Sequence, residues 1–286
     1  MMPVASSSAS RGRCRTPHGW YLLALLMPVL LLAASAYRAE AAPGVGLVPH
    51  VAHYRLSRHH AEPDSGVIAV SGRMEVRVEV SCDGSKVDQY LGFHIMSDDE
   101  SQLEHLAYLS SFEDADGGAF WFNTRTYENR ILVEEIAGVA RVPATGPGET
   151  GYTRPRRADE ALPEGTLFPV GHMKAIIDAA RAGRKSVRHS VFDGSTLENP
   201  FEISAFIADR AVDSRDDIAA IEGVPYWPVR LAYFGIGAVD PTPQFEMSAN
   251  VYENGVIGSM IYDYGNFAID VKLEAVKKLP APDCSR

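Results

Sequence analysis

Four histidines near the amino terminus of the chain, His50, His53, His59 and His60, carry side chains able to hold a transition metal. On an extended strand, positions three apart face opposite ways, which separates His50 from His53, and no cysteine or clustered carboxylate completes a ligand set. The pattern therefore predicts no metal site. Gly146-Pro147-Gly148-Glu149-Thr150-Gly151 is glycine-rich but lacks the lysine and the strand-to-helix setting of a phosphate-binding loop. Asp193-Gly194-Ser195-Thr196 reads as a hairpin turn, because a serine nucleophile on an elbow needs Gly-x-Ser-x-Gly. Asp98-Asp99-Glu100 and Glu134-Glu135 hold paired carboxylates of the kind that cleave glycosides, yet neighbours on a strand point apart and read as solvated faces. The aromatic groups Phe120-Trp121-Phe122 and Tyr262, Tyr264 and Phe267 suit a core better than a ligand cage. These residues predict no catalytic centre and no cofactor.

The elements that would position such side chains are strands. From Val67 to Cys82, Ile68, Val70, Gly72, Met74, Val76, Val78 and Val80 alternate with Ala69, Ser71, Arg73, Glu75, Arg77, Glu79 and Ser81, a long half-buried strand expected to bend near Gly72. Leu47–Ser57 precedes it. Val87–Ile95, Leu103–Phe112, Ala119–Thr126 and Asn129–Ala137 continue an antiparallel meander separated by turn residues. Residues 144–164, rich in glycine and proline and carrying Arg154, Arg156 and Arg157, read as a flexible loop. Leu167–Ala182 is the one convincing helix, with Met173, Ile176, Ile177 and Ala180 on one face and Gly183 as its stop. Strands resume at Ser186–Phe192 and Phe201–Ala208, residues 209–223 are ambiguous, and four more strands run from Trp227 to Lys277 around the Asn254-Gly255 turn.

Of the 286 residues, 46% are hydrophobic, enough to build a substantial core. The first forty follow another logic. Arg11, Arg13 and Arg15 precede an apolar run from Trp20 to Ala34, followed by small residues, which is the order of a secretory signal. That run falls short of the roughly twenty residues of a spanning helix, although a membrane anchor is its alternative reading. Residues 1–41 are expected to be a signal peptide cleaved after Ala41, leaving residues 42–286 as a single periplasmic β domain. Loss of four arginines (Arg11, Arg13, Arg15 and Arg38) and Glu40 takes the formal net charge from −10 to −13, which excludes nucleic acid as a partner. Cys14 leaves with the signal. Cys82 and Cys284 remain in an oxidising compartment, where pairing is the economical reading.

The strand from Gly66 to Cys82, the hairpin Phe120-Trp121-Phe122-Asn123, the segment Leu162-Pro163-Glu164-Gly165-Thr166-Leu167-Phe168-Pro169 and the closing Asp283-Cys284 appear in the order found in the envelope integrity protein B (EipB) family. The opening Leu47-Val48-Pro49-His50-Val51-Ala52-His53-Tyr54 is also similar, so the chain resembles that family over residues 47–284. The resemblance implies a mainly β periplasmic protein. It further implies a strongly curved, spiral-like antiparallel sheet resembling an open β-barrel, one main amphipathic helix, a disulfide between the two cysteine positions, and a role in cell-envelope integrity without established enzymatic activity. The expected mode of action is binding of an apolar, lipid-like ligand or of a periplasmic envelope protein; a hydrolase acting on an envelope polymer is the alternative. A sheet of ten or more strands has more apolar face than one helix covers and must curl on itself. From this follows a candidate apolar groove lined by Met74, Val76, Val78, Phe93, Ile176 and Ile177.

Overall fold

A computed structural model describes residues 45–212, 218–239 and 242–284, which form one compact unit. The expected signal peptide, residues 1–41, lies outside the described residues. Fifteen strands follow in chain order: β1 His50–Ala61, β2 Val67–Val80, β3 Gly84–Ser97, β4 Gln102–Asp114, β5 Ala119–Glu128, β6 Ile131–Arg141, β7 Gly148–Arg154 and β8 Glu160–Leu162. After helix α1, Pro169–Arg181, come β9 Ser186–Val191, β10 Phe201–Ile207, β11 Ala211–Val212, β12 Pro225–Gly235, β13 Phe245–Tyr252, β14 Ile257–Asp263 and β15 Phe267–Lys278. All belong to one sheet in the order β8-β7-β6-β5-β4-β3-β2-β1-β15-β14-β13-β12-β10-β9, with β11 on β12. Every named strand pair is antiparallel. The chain thus walks outward from β1 to one edge, crosses through the helix to the other edge, and walks back until β15 pairs with β1.

The segment between β8 and the helix carries that crossing. Leu167 donates its N–H to Ser190 O at 2.9 Å and accepts from Phe192 N–H at 3.0 Å, a parallel bridge to the end of β9. The segment that follows β8 thereby bridges by a short seam to β9 on the opposite edge of the curved sheet, and no ladder joins β8 to β9.

Local sequence explains the bends. A side-chain carbon on Gly72 would sit 2.3 Å from Gly92 O, so only glycine lets Phe93 reach the core there. Residues 144–164 contain strands β7 and β8 where the composition suggests a loop. Gly148 is a packing residue: a side-chain carbon there would sit 2.5 Å from Arg141 O, and on the facing strand β6 Gly138 is crowded in the same way by Gly151 O and the ring of Phe122. Alternation in β2 holds from Val70 onward, but a bulge between Val67 and Ala69 turns Ile68 out to solvent and Val67 toward the core.

Three hydrophobic clusters fill the curl. The first joins Tyr54, Leu56, Met74, Phe93, Ile269 and Leu273 with Ile218 and Ile221 from the connection into β12. The second lies under the helix, where Ile176, Ile177 and Ala180 meet Val191, Ile203, Ile207 and Trp227. The third is aromatic and sits at the seam. Phe168 stacks on Phe120 at 5.1 Å, and Phe192 packs edge-on to Phe122 at the same separation. Cys82 and Cys284 are bonded across a sequence separation of 202, and Leu279 extends the β15 ladder by donating its N–H to Pro49 O at 2.8 Å. The bond fastens the chain's last residues beside the end of β2.

Phe168 is 1% exposed and belongs to both the seam and the aromatic cluster. Phe168→Ala is expected to cost about 3–5 kcal/mol of stability in urea unfolding, and a loss below about 1 kcal/mol would refute its place in the seam.

Candidate functional site

On the core-facing side of the sheet, the six groove residues separate into two places. Met74 and Phe93 are buried in the first cluster with Val76 packed beside them, and Val78 is half-buried on the same face. Ile176 and Ile177 are buried in the second cluster. A single groove roofed by the helix over β2 and β3 is therefore not formed. The reason is the anchoring of Leu167 to β9, which lays the helix over β9, β10 and β12 instead. Half-buried Val76, Val78, Val87, Leu91 and Leu109 remain as an apolar strip on β2–β4.

Polar chemistry on this side gathers at the helix. Its first turn, opening Phe168-Pro169, offers no capping side chain of its own. Glu113 on β4 takes that role from a distance: Val170 N–H and Gly171 N–H donate to its two carboxylate oxygens, each at 2.8 Å. Glu113 is only 4% exposed, and burial pushes its carboxyl up to about 7 although both N–H groups and the charge of Lys174 pull the other way. One turn further along, the ring of His172 meets that of His189 edge-on at 5.5 Å. His172 Nε2 and His189 Nδ1 are buried without a hydrogen-bond partner. Burial, with His189 adding to it, holds the His172 imidazole down at about 4. Neither residue was singled out by sequence pattern. The one local signal for Glu113 is the helix start itself, which lacks an acceptor and so demands one from elsewhere.

The residues weighed for catalysis are placed apart. His50 Nδ1 lies 2.7 Å from Val48 O, His53 pairs with Glu75 and His59 with Asp270, so each is occupied locally. Among the described residues no three His, Cys, Asp or Glu groups converge as metal ligands. Ser195 N–H donates to Asp193 Oδ1 at 2.9 Å, a turn held by its own aspartate and by Asn199. Glu134 and Glu135 point to opposite faces. Glu135 pairs with Arg125 and Arg154, which hold its carboxyl low. Burial and then Glu198 push Glu134 upward.

Two concavities lie outside the filled curl. A trough of about 600 Å³ crosses β10 to β15, walled by Phe206, Arg230 and Ile261 over a floor of small residues such as Ser248 and Ser259. A polar pocket of about 360 Å³ at the helix's carboxyl end is lined by Arg181, Arg184, Lys185, Asp209 and Glu253.

A long antiparallel sheet that curls onto its own helix without closing defines a β-barrel-like protein. The chain belongs to the EipB-like family, whose model matches residues 41–280. It is 30% identical over 251 residues to the cell envelope integrity protein EipB of Brucella abortus (strain 2308), covering 86% of this chain and 89% of that protein. It is also similar to the crystal structure of a β-barrel-like protein of a domain of unknown function from Brucella abortus, with a TM-score of 0.77 and 28% identity, over 82% of this chain and all of that one.

Glu113 and His172 bias stability in opposite senses. Glu113 binds its proton more tightly folded than unfolded, so its contribution is full below its ordinary value of 4.5 and is lost as pH rises to about 7. His172 binds its proton less tightly when folded, so its contribution is full above 6.5 and is lost as pH falls to about 4. Each spans on the order of 3 kcal/mol, and between pH 4.5 and 6.5 they offset. Melting curves across that window should show Glu113→Gln losing stability on acidification more steeply than the wild type, and His172→Phe gaining relative to it. Parallel curves for all three proteins would refute the pairing.

Proposed function

We propose that the chain is a periplasmic, non-enzymatic protein of cell-envelope integrity that works by binding a partner protein. Its likeness to a relative named for envelope integrity supports the process. The observation that carries the mode of action is the filled curl: the helix, the connection at Ile218 and Ile221 and three side-chain clusters occupy the core-facing side. Exposed apolar side chains are left on the outside, where another protein meets them. The order of basic, apolar and small residues at the amino terminus supports export.

A second reading, binding of an apolar, lipid-like ligand, draws on the half-buried strip of Val76, Val78, Leu91 and Leu109. Titration with the apolar fluorophore N-phenylnaphthylamine separates the two. Under the partner reading the protein gives no saturable enhancement; saturable enhancement abolished by Val76→Asp would install the ligand reading.

The function is tested in a deletion strain challenged with detergent. The wild-type gene is expected to restore resistance, and so is a gene carrying Ser195→Ala, Glu134→Gln and Glu198→Gln together. Rescue by the wild type but not by the triple variant would point to hydrolysis instead.

A further inference from the structure

The hairpin tips joining β1 to β2, β3 to β4 and β5 to β6 lie side by side and are stitched together through their backbones. Asp98 N–H donates to Gly66 O at 2.9 Å, Asn129 N–H donates to Glu104 O at 2.8 Å, and Glu104 N–H donates back to Asn129 Oδ1 at 3.0 Å. On this rim three consecutive aliphatic residues stand in solvent: Ile131 is 68% exposed, Leu132 46% and Val133 52%. A regular strand would turn one of each neighbouring pair inward. Here Thr126 pairs with Glu134 and Tyr127 with Leu132, which leaves Val133 as an extra, bulged residue and frees it from the core face.

The same device operates two hairpins away. Ile68 is the extra residue where Val67 pairs with Ser97 and Ala69 with Met96, and Ile68 and Met96 are both exposed. Leu106, opposite Tyr127, which is opposite Leu132, extends the apolar surface across β4 to β6, and Tyr108 packs edge-on to Tyr127 at 6.1 Å. Two bulges thus spend core-facing positions to place aliphatic side chains outside, on a backbone whose tips are tied.

Charge decides what covers them. The tips carry Glu62, Asp64, Asp98, Asp99, Glu100 and Glu128. The cations beside them are Arg58, near Val67 O, and Arg125 and Arg130, which flank Leu106 and Tyr127 and whose guanidinium groups pair with Glu135 and Glu104. Anionic lipid headgroups are repelled by such a rim, whereas a protein segment with lysines or arginines flanking aliphatic residues matches both the apolar side chains and the carboxylates.

We propose that this rim, built around Ile68, Met96 and Ile131–Val133, is the docking surface for a basic, amphipathic segment of a partner protein. The inference rests on the partner-binding reading above and names its surface and the chemistry it recognises.

The probe is an amphipathic peptide of leucine and lysine, titrated against the disulfide-bonded exported protein by fluorescence anisotropy. Its comparators are a leucine–glutamate peptide, a serine–lysine peptide and vesicles of phosphatidylethanolamine and phosphatidylglycerol. The leucine–lysine peptide should bind, weaken as salt rises, and lose about tenfold or more in affinity with Leu132→Ser/Val133→Ser. Phe206→Ser, on the outward trough, should leave binding unchanged. Equal affinity for the serine–lysine peptide, an unaltered affinity in the rim variant, or preferential binding to the vesicles would overturn the proposal. Circular dichroism melting should show that the rim variant is folded, as expected for residues already in solvent. In the detergent-challenged deletion strain the rim variant should fail to rescue. Rescue by it equal to the wild type would overturn the rim alone, and failure of the wild-type gene would overturn the envelope reading beneath it.

Discussion

Everything in this molecule depends on how a sheet with two free edges disposes of them. An exposed edge presents unpaired N–H and C=O groups and invites other strands. Full closure is one answer, but here the edges are β8 and β9, and the chain between them must also supply a helix. The seam at Leu167 uses two backbone hydrogen bonds where a ladder would use many, and Phe168 stacked on Phe120 supplies the adhesion that hydrogen bonds do not. Fixing Leu167 fixes where the helix begins, and the helix in turn determines which strands receive Ile176 and Ile177. One backbone bridge thereby sets the boundary between the clusters.

That arrangement brings ionisable groups into the core. The helix starts in the interior with no acceptor nearby in sequence, so Glu113 reaches it from β4, and the desolvation this entails is set against two N–H donors and the dipole of the helix. His172, on the same helix, is buried against His189 and kept neutral. The helix is thus held by its apolar face and by buried polar contacts whose strength varies with protonation.

Much of the architecture was legible because period-two alternation survives wherever one face is buried and one is wet. The strands from Val70 to Ala137, the helix with Ile176 and Ile177, and the Asn254-Gly255 turn follow from pattern alone. The curl followed from the excess of apolar sheet face over one helix, while its spiral-like form and the envelope role came through resemblance. Residues 144–164 misled because glycine and proline mark turns by composition, whereas Gly148 is there to let β7 lie close against Arg141 O of β6. The groove residues were correctly read as apolar, but periodicity says which face a residue occupies and nothing of which distant element lies over it. Glu113 was hidden for the same reason: its partner is 57 residues away. Bulges at Ile68 and Val133 were invisible, since a bulge is a property of the pair and not of either strand.

The pairing of β1 with β15 places the first and last strands of the domain at the middle of the sheet. A chain emerging from its amino terminus can lay β2 on β1 at once, but the other edge of β1 has no partner until residue 267 and beyond have appeared. Through most of synthesis, the apolar faces of Tyr54 and Leu56 wait for Val271 and Leu273. This is a topology of long sequence separation, slow to complete and prone to wrong pairing in the interval. Such a chain has a built-in need for something to shield its leading strands until its own end arrives.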